Sequence, residues 1–576
     1  MLAFHGLATT RYVDVTNASP VSPYTNWATA ATVIQDAIDV AQSGDLVLVT
    51  NGVYQTGARV VSGGLANRVV VSKAIRLQSV NGPDSTFIVG SSDPNTGGNG
   101  DAAIRCIFVG TKATVAGFTL TNGATRQGTT FFMHEAFDGG GAYCNPDGAL
   151  SVVLSNCVFV GNSAGNFGGG VYAGFAHSCI FSNNFSANNG GGSYGSELHH
   201  CTLTQNSALG SGGGVNNGVA YDCKVVGNLC SNQGGGIYGG SHSNCLIALN
   251  ECGSVGGGVC TSGLEGCTLV GNSAPGDTGF GGGAYNSTAK HCRFYTNSAA
   301  VGGGACQSKL SNCLIIGNSA TTGGGVSDDP FYGPSTVVNC TIVANSASTS
   351  GGGAINSTLY NSIIFHNTGP QDPDCLTCAQ FFCCTSVQPD NGVGNITAEP
   401  LLVNWPGGDF HLQAGSPCID VGANTNAPPG QDLDGNPRIV GGIVDIGAYE
   451  YVRPSLTPLQ LWLQSYGLPT DGSADYSDSD GDGMNNWQEW RCGTNPTNAL
   501  SLLRLFALST TKSSVILSWE SVAGVNYFLE RSTNPISPTS FIRLARGVPG
   551  QLGLTSYTDT NVTGAGSVFY RVGVGD

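Results

Sequence analysis

A right-handed parallel β-helix is the fold this chain predicts, on three observations. The motif Cys-x-apolar-x-x-Asn recurs nine times, from Cys157/Asn162 to Cys340/Asn345, and the first five steps between cysteines are all 22 residues. A triple glycine stands in every period, opening at Gly139, Gly168, Gly190 and onward to Gly351. Around each cysteine, inward positions that are small or apolar alternate with mixed ones, which is the period of a strand. A fixed period in this range marks a solenoid in which each repeat is one rung.

The rungs are β rather than helical. Two residues after the cysteine stands a bulky apolar residue (Phe159, Phe181, Leu203, Val225, Ile247), whereas the residue between them varies (Val158, Thr202, Lys224). β-Branched and aromatic residues favour strands, and frequent glycine would break a helix. Twenty-two residues hold three short strands and their corners, so three-strand rungs are expected, stacked in parallel about 4.8 Å apart. Ten rungs would span roughly 50 Å, and parallel crossovers are almost always right-handed. Gly117/Asn122 and Ser362/Asn367 read as flanking copies of the motif.

The columns assign the corners. Stacked asparagines can hydrogen-bond along the axis as amide ladders do and tolerate the left-handed conformation of a corner. A second polar column precedes the cysteines (Asn156, Asp222, Asn244, Asn312, Asn339, Asn361). The glycine triplets fit a tight third corner where a Cβ would clash. The stacked cysteines behave as small apolar core residues, and their parallel Cα–Cβ vectors suit disulfides poorly. Cys375, Cys378, Cys383 and Cys384 lie past the last rung. Disulfides (with Cys418 available as a partner), free thiols or a zinc site are all open for them.

Composition bounds the function. Charged residues make up 10% of the 576, glycine reaches 88 and net charge is −16. Nucleic acid is therefore not an expected partner, and no apolar run is long enough for a transmembrane helix. Low charge with abundant Gly, Asn, Ser and Thr suits a secreted or cell-surface β-solenoid. Met1 to Thr10 lacks the charged and apolar regions of a signal peptide.

At the start, Tyr12–Val15 alternates as a strand. Val33, Ile34, Ala37, Ile38 and Ala41 have helical spacing, and Leu46–Val49 is a buried strand. The helix is expected to cap the exposed end of the solenoid. On Tyr12 to Tyr54, with Trp27-Ala28-Thr29, Ile34-Gln35-Asp36-Ala37 and Gly44-Asp45, the chain resembles the entry of pectin-lyase-like right-handed β-helix proteins. Its Asn-Ser-Ala and triple-glycine rungs also resemble repeats of bacterial polymorphic outer-membrane adhesins. Gly415-Ser416-Pro417-Cys418, Asp432-Leu433-Asp434-Gly435-Asn436-Pro437-Arg438 and Asp445-Ile446-Gly447-Ala448-Tyr449-Glu450 resemble the closing motif of large secreted bacterial β-helix proteins. The resemblance implies a capped β-helix over residues 11–452 and is silent on activity.

After a linker at Pro454–Pro458 and a short helix, Asp478-x-Asp480-x-Asp482-Gly483 precedes Asn486 and Glu489. This fills positions 1, 3, 5, 6, 9 and 12 of an EF-hand loop. Asp478, Asp480, Asp482, the Met484 carbonyl, Asn486 and bidentate Glu489 would wrap Ca²⁺ in oxygens. The segment 455–499 is similar to dockerin-like or thrombospondin type-3-like calcium modules; Asp471 and Asp475 could form a partial second site. Residues 500–576 alternate as short strands. Trp519, Tyr527 to Leu529 and Tyr570 to Val572 make them similar to a fibronectin type III β-sandwich.

Function is sought on the outer face. Two residues before the cysteines stand His177, His199, Tyr221, Ser243, Glu265 and Lys290, with His200, Asp222 and His291 beside them. Such groups could transfer protons in a polysaccharide lyase or glycoside hydrolase, or bind a transition metal through His177 and His199, or form a merely polar corner. Tyr143, Tyr172, Tyr194, Tyr238 and Tyr285 each follow a glycine triplet. If outward, they would offer a ladder for stacking on sugar; otherwise they cover the rung flank. Insertions at Phe131–Asp138 and Asp328–Tyr332 are loops of the kind that carry function. No aspartate cluster with a catalytic arginine, as in calcium-dependent pectate lyases, and no paired-carboxylate motif, as in polygalacturonases, is found. The expectation is a secreted modular protein whose β-helix is a rigid carbohydrate-binding or adhesive scaffold stabilised by Ca²⁺. An enzyme acting on an extracellular polysaccharide is the alternative.

Overall fold

The computed structural model describes residues 8–61, 64–110, 112–128, 134–145, 151–329, 332–453, 456–511, 513–536, 540–562 and 566–575. Residues 1–7, 131–133, 330–331 and 454–455, which carry parts of the N-terminal, loop and linker readings, lie outside them. Two compact units result, residues 1–452 and 453–576.

The first unit is a parallel β-helix. One turn runs through Val153–Ser155, Val158–Val160, Ser163–Gly165 and Val171–Tyr172. These belong to four sheets, here I to IV in that order, of 15, 14, 10 and 14 strands. Rungs thus carry four short strands, not the three expected. The added strand is the short pair after the asparagine (Ser207–Ala208, Leu229–Cys230, Glu251–Cys252), too short for its period to be read. Neighbouring rungs pair in parallel and in register, as in His177↔His199↔Tyr221.

The asparagine column is a buried amide ladder. Asn184 Oδ1 accepts the backbone N–H and the side-chain Nδ2 of Asn162 at 3.1 and 3.0 Å, while Asn184 Nδ2 donates to the Phe159 carbonyl at 2.9 Å. The pattern repeats through Asn206, Asn228, Asn250, Asn272, Asn297, Asn318, Asn345 and Asn367. It ends on Asp374 Oδ1, which accepts from Asn367 N and Nδ2. An acceptor suffices there, because no further amide needs a donor. Two expectations are corrected. Thr119–Thr121 pairs with Val158–Val160, so Phe118 takes the cysteine's place and Asn122 aligns with Gly161, outside the ladder. The left-handed residue is the one before the ladder asparagine (Gly161, Asn183, Gln205), not the asparagine.

The glycine corner is required sterically. Gly212 has φ +68°, and a Cβ on Gly213 would stand 2.4 Å from the Gly235 carbonyl of the next rung. Nineteen cysteines are free, and all are buried. Burial pushes the Cys106, Cys144 and Cys383 thiols up to about 12. Of the late cluster, Cys375 and Cys378 form a disulfide, while Cys383, Cys384 and Cys418 are free thiols.

The expected cap helix is α1 (Ile34–Val40), burying Ile34, Ala37 and Ile38. Gln35 exchanges hydrogen bonds with the backbone of Val70 in sheet IV, and Lys73 Nζ closes the helix end on the Ile38, Asp39 and Ala41 carbonyls.

The C-terminal segment does more than close the end. Residues 402–449 fold back over the outer face of sheet II, burying Leu314, Val343, Ile363 and Phe365 beneath Leu402, Phe410, Leu412, Ile446 and Ala448. The polar corner between sheets I and II is its docking rail. His291 and Asn312 donate to the Gln431 carbonyl (both 2.9 Å), Asn339 to Asp445 O (3.0 Å) and Asn361 to Ala423 O (3.0 Å). Within the cap, the Arg438–Glu450 ion pair (2.5 Å, side chains 2% and 0% exposed) joins the two closing motifs. Among the described residues no helix is long and apolar enough to cross a membrane.

In the second unit, α2 (Pro458–Ser465) and α3 (Asn486–Cys492) each start with a capping box, Thr457/Gln460 and Asn485/Gln488. Two three-stranded antiparallel sheets follow and share one core around Val515, Leu517 and Leu529.

Candidate functional site

The outer face of sheet I carries a cleft of about 260 Å³ lined by Tyr221, Ser241, His242, Ser243, Gly263, Leu264, Glu265, Thr288 and Lys290. Its origin is a drop in side-chain size along two neighbouring columns. One reads Tyr221, Ser243, Glu265, Lys290 and the other Val219, Ser241, Gly263, Thr288. Serine and glycine leave a saddle between larger walls. Above it is an aromatic shelf, with Phe175 5.0 Å from His199 and His199 4.7 Å from Tyr221 by ring centroid.

The catalytic candidates fall into separate groups. His199 Nε2 is bonded to Glu197 Oε1 at 2.9 Å, and His177 lies edge-on to His200 at 5.4 Å. His200 is 3.9 Å from Asp222. At the other end of the cleft, Glu265 Oε1 lies 2.6 Å from His291 Nδ1. Lys290 is exposed on the same wall. Of these seven residues only Glu265 and Lys290 line the cleft. His291 has both ring nitrogens engaged, the second by Gln431 O. The net effect raises its pKa: burial opposes the charge, but the Glu265 hydrogen bond, the Gln431 carbonyl and the Glu265 charge outweigh it. His177 and His199 are not brought into a shared metal-ligating group with a third donor among the described residues.

Sequence reasoning missed His242. It faces inward in a column otherwise filled by Leu198, Ala220, Leu264 and Ala289, and it floors the cleft. Nε2 bonds to the Gly239 carbonyl at 2.9 Å, Nδ1 has no partner, and burial lowers its pKa. A polar residue in an apolar column was the available signal.

The tyrosine ladder is corrected as a sugar platform. Tyr143, Tyr172 and Tyr194 stack on one another at 5.1 and 5.6 Å, with Phe108 and Phe167 covering the ends. Their ring faces are consumed by each other. Tyr143 is 2% and Tyr285 9% exposed, and Tyr285 bonds to Asp329 Oδ2 at 2.6 Å. Tyr238 packs against the cluster of Cys260 and Tyr285. Ring stacking between rungs and the covering chain override outward display. The backbone of loop residues 134–138 is tied down by buried Arg105, which donates to the Glu135 and Asp138 carbonyls.

The acidic loop of the second unit turns on its own carboxylates. Asp478 accepts from the Gly481 and Gly483 amides and Asp482 from that of Met484. One carboxylate oxygen from each of Asp478, Asp480 and Asp482 falls within 4.8 Å of the others. Buried oxygens of Asp480, Asp482, Asn486 and Glu489 have no hydrogen-bond partner. Burial, and then the charges of Asp480, Asp482 and Asp478, push the Glu489 pKa up to about 7. Convergent unpartnered oxygens with unrelieved repulsion are the chemistry of a hard-cation site. The donor set therefore fits Ca²⁺.

No family model matches the chain, and no curated protein matches it. Among solved structures it is similar to the pectate lyase Pel9A (TM-score 0.27, 14% identity, covering 78% of this chain and 98% of that one). It is similar to XylC in complex with xylose (TM-score 0.31, 8% identity, 78% and 99%). A tailspike protein mutant of E. coli bacteriophage HK620 in complex with a hexasaccharide gives TM-score 0.29 and 12% identity over 94% and 87%. Scores at this level carry no inference about site or substrate, and the parallel β-helix rests on the strand pairing of this chain itself.

Proposed function

We propose that this chain is a secreted, modular carbohydrate-binding protein whose rigid β-helix presents a glycan site on the outer face of sheet I. The observation that carries the reading is the cleft itself. A small-residue saddle bounded by the Phe175–His199–Tyr221 shelf and by polar Glu265, Thr288 and Lys290 offers ring faces and hydrogen-bonding groups together. Sugars present the matching pair, apolar C–H faces and hydroxyls. Binding is favoured over hydrolysis because one carboxylate lines the cleft, and that one is held by His291. Glycoside hydrolysis ordinarily uses two carboxyl groups about 5–9.5 Å apart.

Screening the full chain against immobilised glycans tests this. Tyr221→Ala is expected to weaken retention of any bound glycan by about tenfold, the loss of roughly 1.4 kcal/mol of stacking. Unchanged binding would remove the cleft from the reading. Release of new reducing ends or unsaturated products would replace binding with catalysis.

Ca²⁺ in the Asp478–Glu489 loop, holding α3 against the acidic turn, belongs to the same proposal. Asp478, Asp480, Asp482, Asn486, Glu489 and the Met484 carbonyl would be its ligands. Saturating Ca²⁺ at about 100 times its Kd would stabilise residues 453–576 by about 2.7 kcal/mol. Calorimetry with and without a chelator should show that shift, and Asp480→Ala should abolish it. An identical melting profile in both conditions for the parent chain would rule the site out.

A further inference from the structure

The cleft and the cap meet at a single side chain. His291 Nδ1 lies 2.6 Å from Glu265 Oε1, the carboxylate lining the cleft, and Nε2 lies 2.9 Å from the carbonyl of Gln431 in the cap. Both partners are acceptors. A neutral imidazole carries one N–H and can satisfy only one of them, whereas the imidazolium satisfies both. We infer that His291 is a proton-operated latch which, when charged, holds the cap segment around Gln431 against the sheet I/II corner and fixes Glu265 at the cleft edge.

The surroundings specify what happens when the proton leaves. From its own solenoid, His291 faces Glu265 on the preceding rung, Lys290 beside it and Asn312 on the following rung. From the cap it faces Gln431, and behind Asn312 stands Arg438, which donates to Asn312 Oδ1 and is neutralised by Glu450. The neighbouring Asp432 carboxylate is spent on the cap's own Asp434, Asn436 and Glu450 amides. Deprotonated Nε2 is an acceptor, and the Asn312 amide nitrogen at 3.1 Å is the donor at hand. The cap then keeps the Asn312–Gln431 bond and loses the His291 bond. No other charged group is positioned to replace it.

The direction follows from the chemistry. His291 titrates above the ordinary histidine range. A raised folded-state pKa gives a contribution that is fully present below the unfolded value of about 6.5 and lost as pH rises through the folded value. The latch is closed in acid and opens as pH rises through the folded value. His411, held between Asp409 and Asp434 at 2.6 Å each, titrates in the same direction inside the cap. A test must therefore compare variants at His291 rather than pH alone.

This inference adds regulation to the proposed glycan site, and its main readout does not depend on any glycan. Amide exchange of residues 428–438, which include the Arg438 N–H bonded to the Gly430 carbonyl, is followed in the full chain from about pH 5.5 to about 8.5 after correction for intrinsic rates. Protection in the parent chain is expected to fall by about threefold or more as pH rises. His291→Asn should remove most of that dependence. Asparagine already occupies the same left-handed corner at Asn312, Asn339 and Asn361, so the variant is expected to fold. Glu265→Gln should move the fall to lower pH. A flat profile in the parent chain, or the same profile in His291→Asn, overturns the latch. If a glycan binds, its affinity should change over the same interval. A glycan that binds equally at all pH values overturns the coupling to the cleft, and absence of any glycan binding removes the proposed function while leaving the exchange result to decide the latch.

Discussion

Glu450→Gln is expected to destabilise the cap by about 3–5 kcal/mol, the cost of leaving one member of a buried ion pair without its partner. Arg438 and Glu450 are almost fully enclosed, and the guanidinium also donates to Asn312 Oδ1 and to the Gly447 and Ala448 carbonyls. Glutamine keeps the volume and removes the charge, so the cavity term stays small. Because Glu450 also accepts from the Val440 and Asp445 amides, the change loosens the whole closing motif. The outcome should be seen as faster amide exchange across residues 420–451 and as dye binding to the Ile363–Phe365–Leu402 cluster. Arg438→Met combined with Glu450→Met is expected to cost less than either single change, since two apolar side chains leave no orphaned charge. Additive losses in the double variant would mean the pair contributes nothing as a pair.

Asn228→Ala carries the second large effect. Asn228 Oδ1 accepts both the backbone and the side-chain N–H of Asn206, and its Nδ2 donates to Leu203 O and Asn250 Oδ1. Alanine strands the two Asn206 donors and the Leu203 acceptor inside the solenoid. At about 1–3 kcal/mol for each unsatisfied group, a total of roughly 3–9 kcal/mol follows. Asn228→Asp should fare no better, because a carboxylate cannot donate and would be buried beside Asn250 Oδ1. Asn122→Gly is the contrasting substitution. Asn122 is exposed at φ +56°, where later rungs place Gly161, Asn183, Gln205 and Gly227, and its loss should lie within about 0.5 kcal/mol. Urea midpoints for the three variants separate ladder from corner. Equal losses at Asn122 and Asn228 would contradict the register described above.

The two residues also show where the sequence stops being legible. Both are asparagines that the recurring motif places in one column, and only backbone pairing reveals that the rung of Asn122 is offset by one residue. The offset arises where Phe118 replaces the cysteine and the period is broken by the residues between the two rungs. The fourth strand escaped for a related reason: two residues have no period. The cap motifs were recognisable as a closing sequence. That they dock laterally on His291, Asn312, Asn339 and Asn361 was not, since the partners lie up to 140 residues away. The acidic loop was the most legible element, because its acidic side chains are all local.

What the amino-acid order decided alone is whatever repeats or is local: the stacked β rungs, the thiol and amide columns along the axis, the capping helix and the spacing of the acidic loop. In a solenoid each rung is packed by its immediate neighbours, so the inward pattern is rewritten at every period and can be read directly. Tertiary structure decided the outer surface. The saddle at Ser241, Ser243 and Gly263 exists only relative to the side chains of flanking rungs, the tyrosines hide their faces only because consecutive rungs superpose them, and His291 becomes a shared donor only when the chain returns from Gln431. Outward positions carry no common packing constraint, so their meaning depends on contacts that no local period encodes.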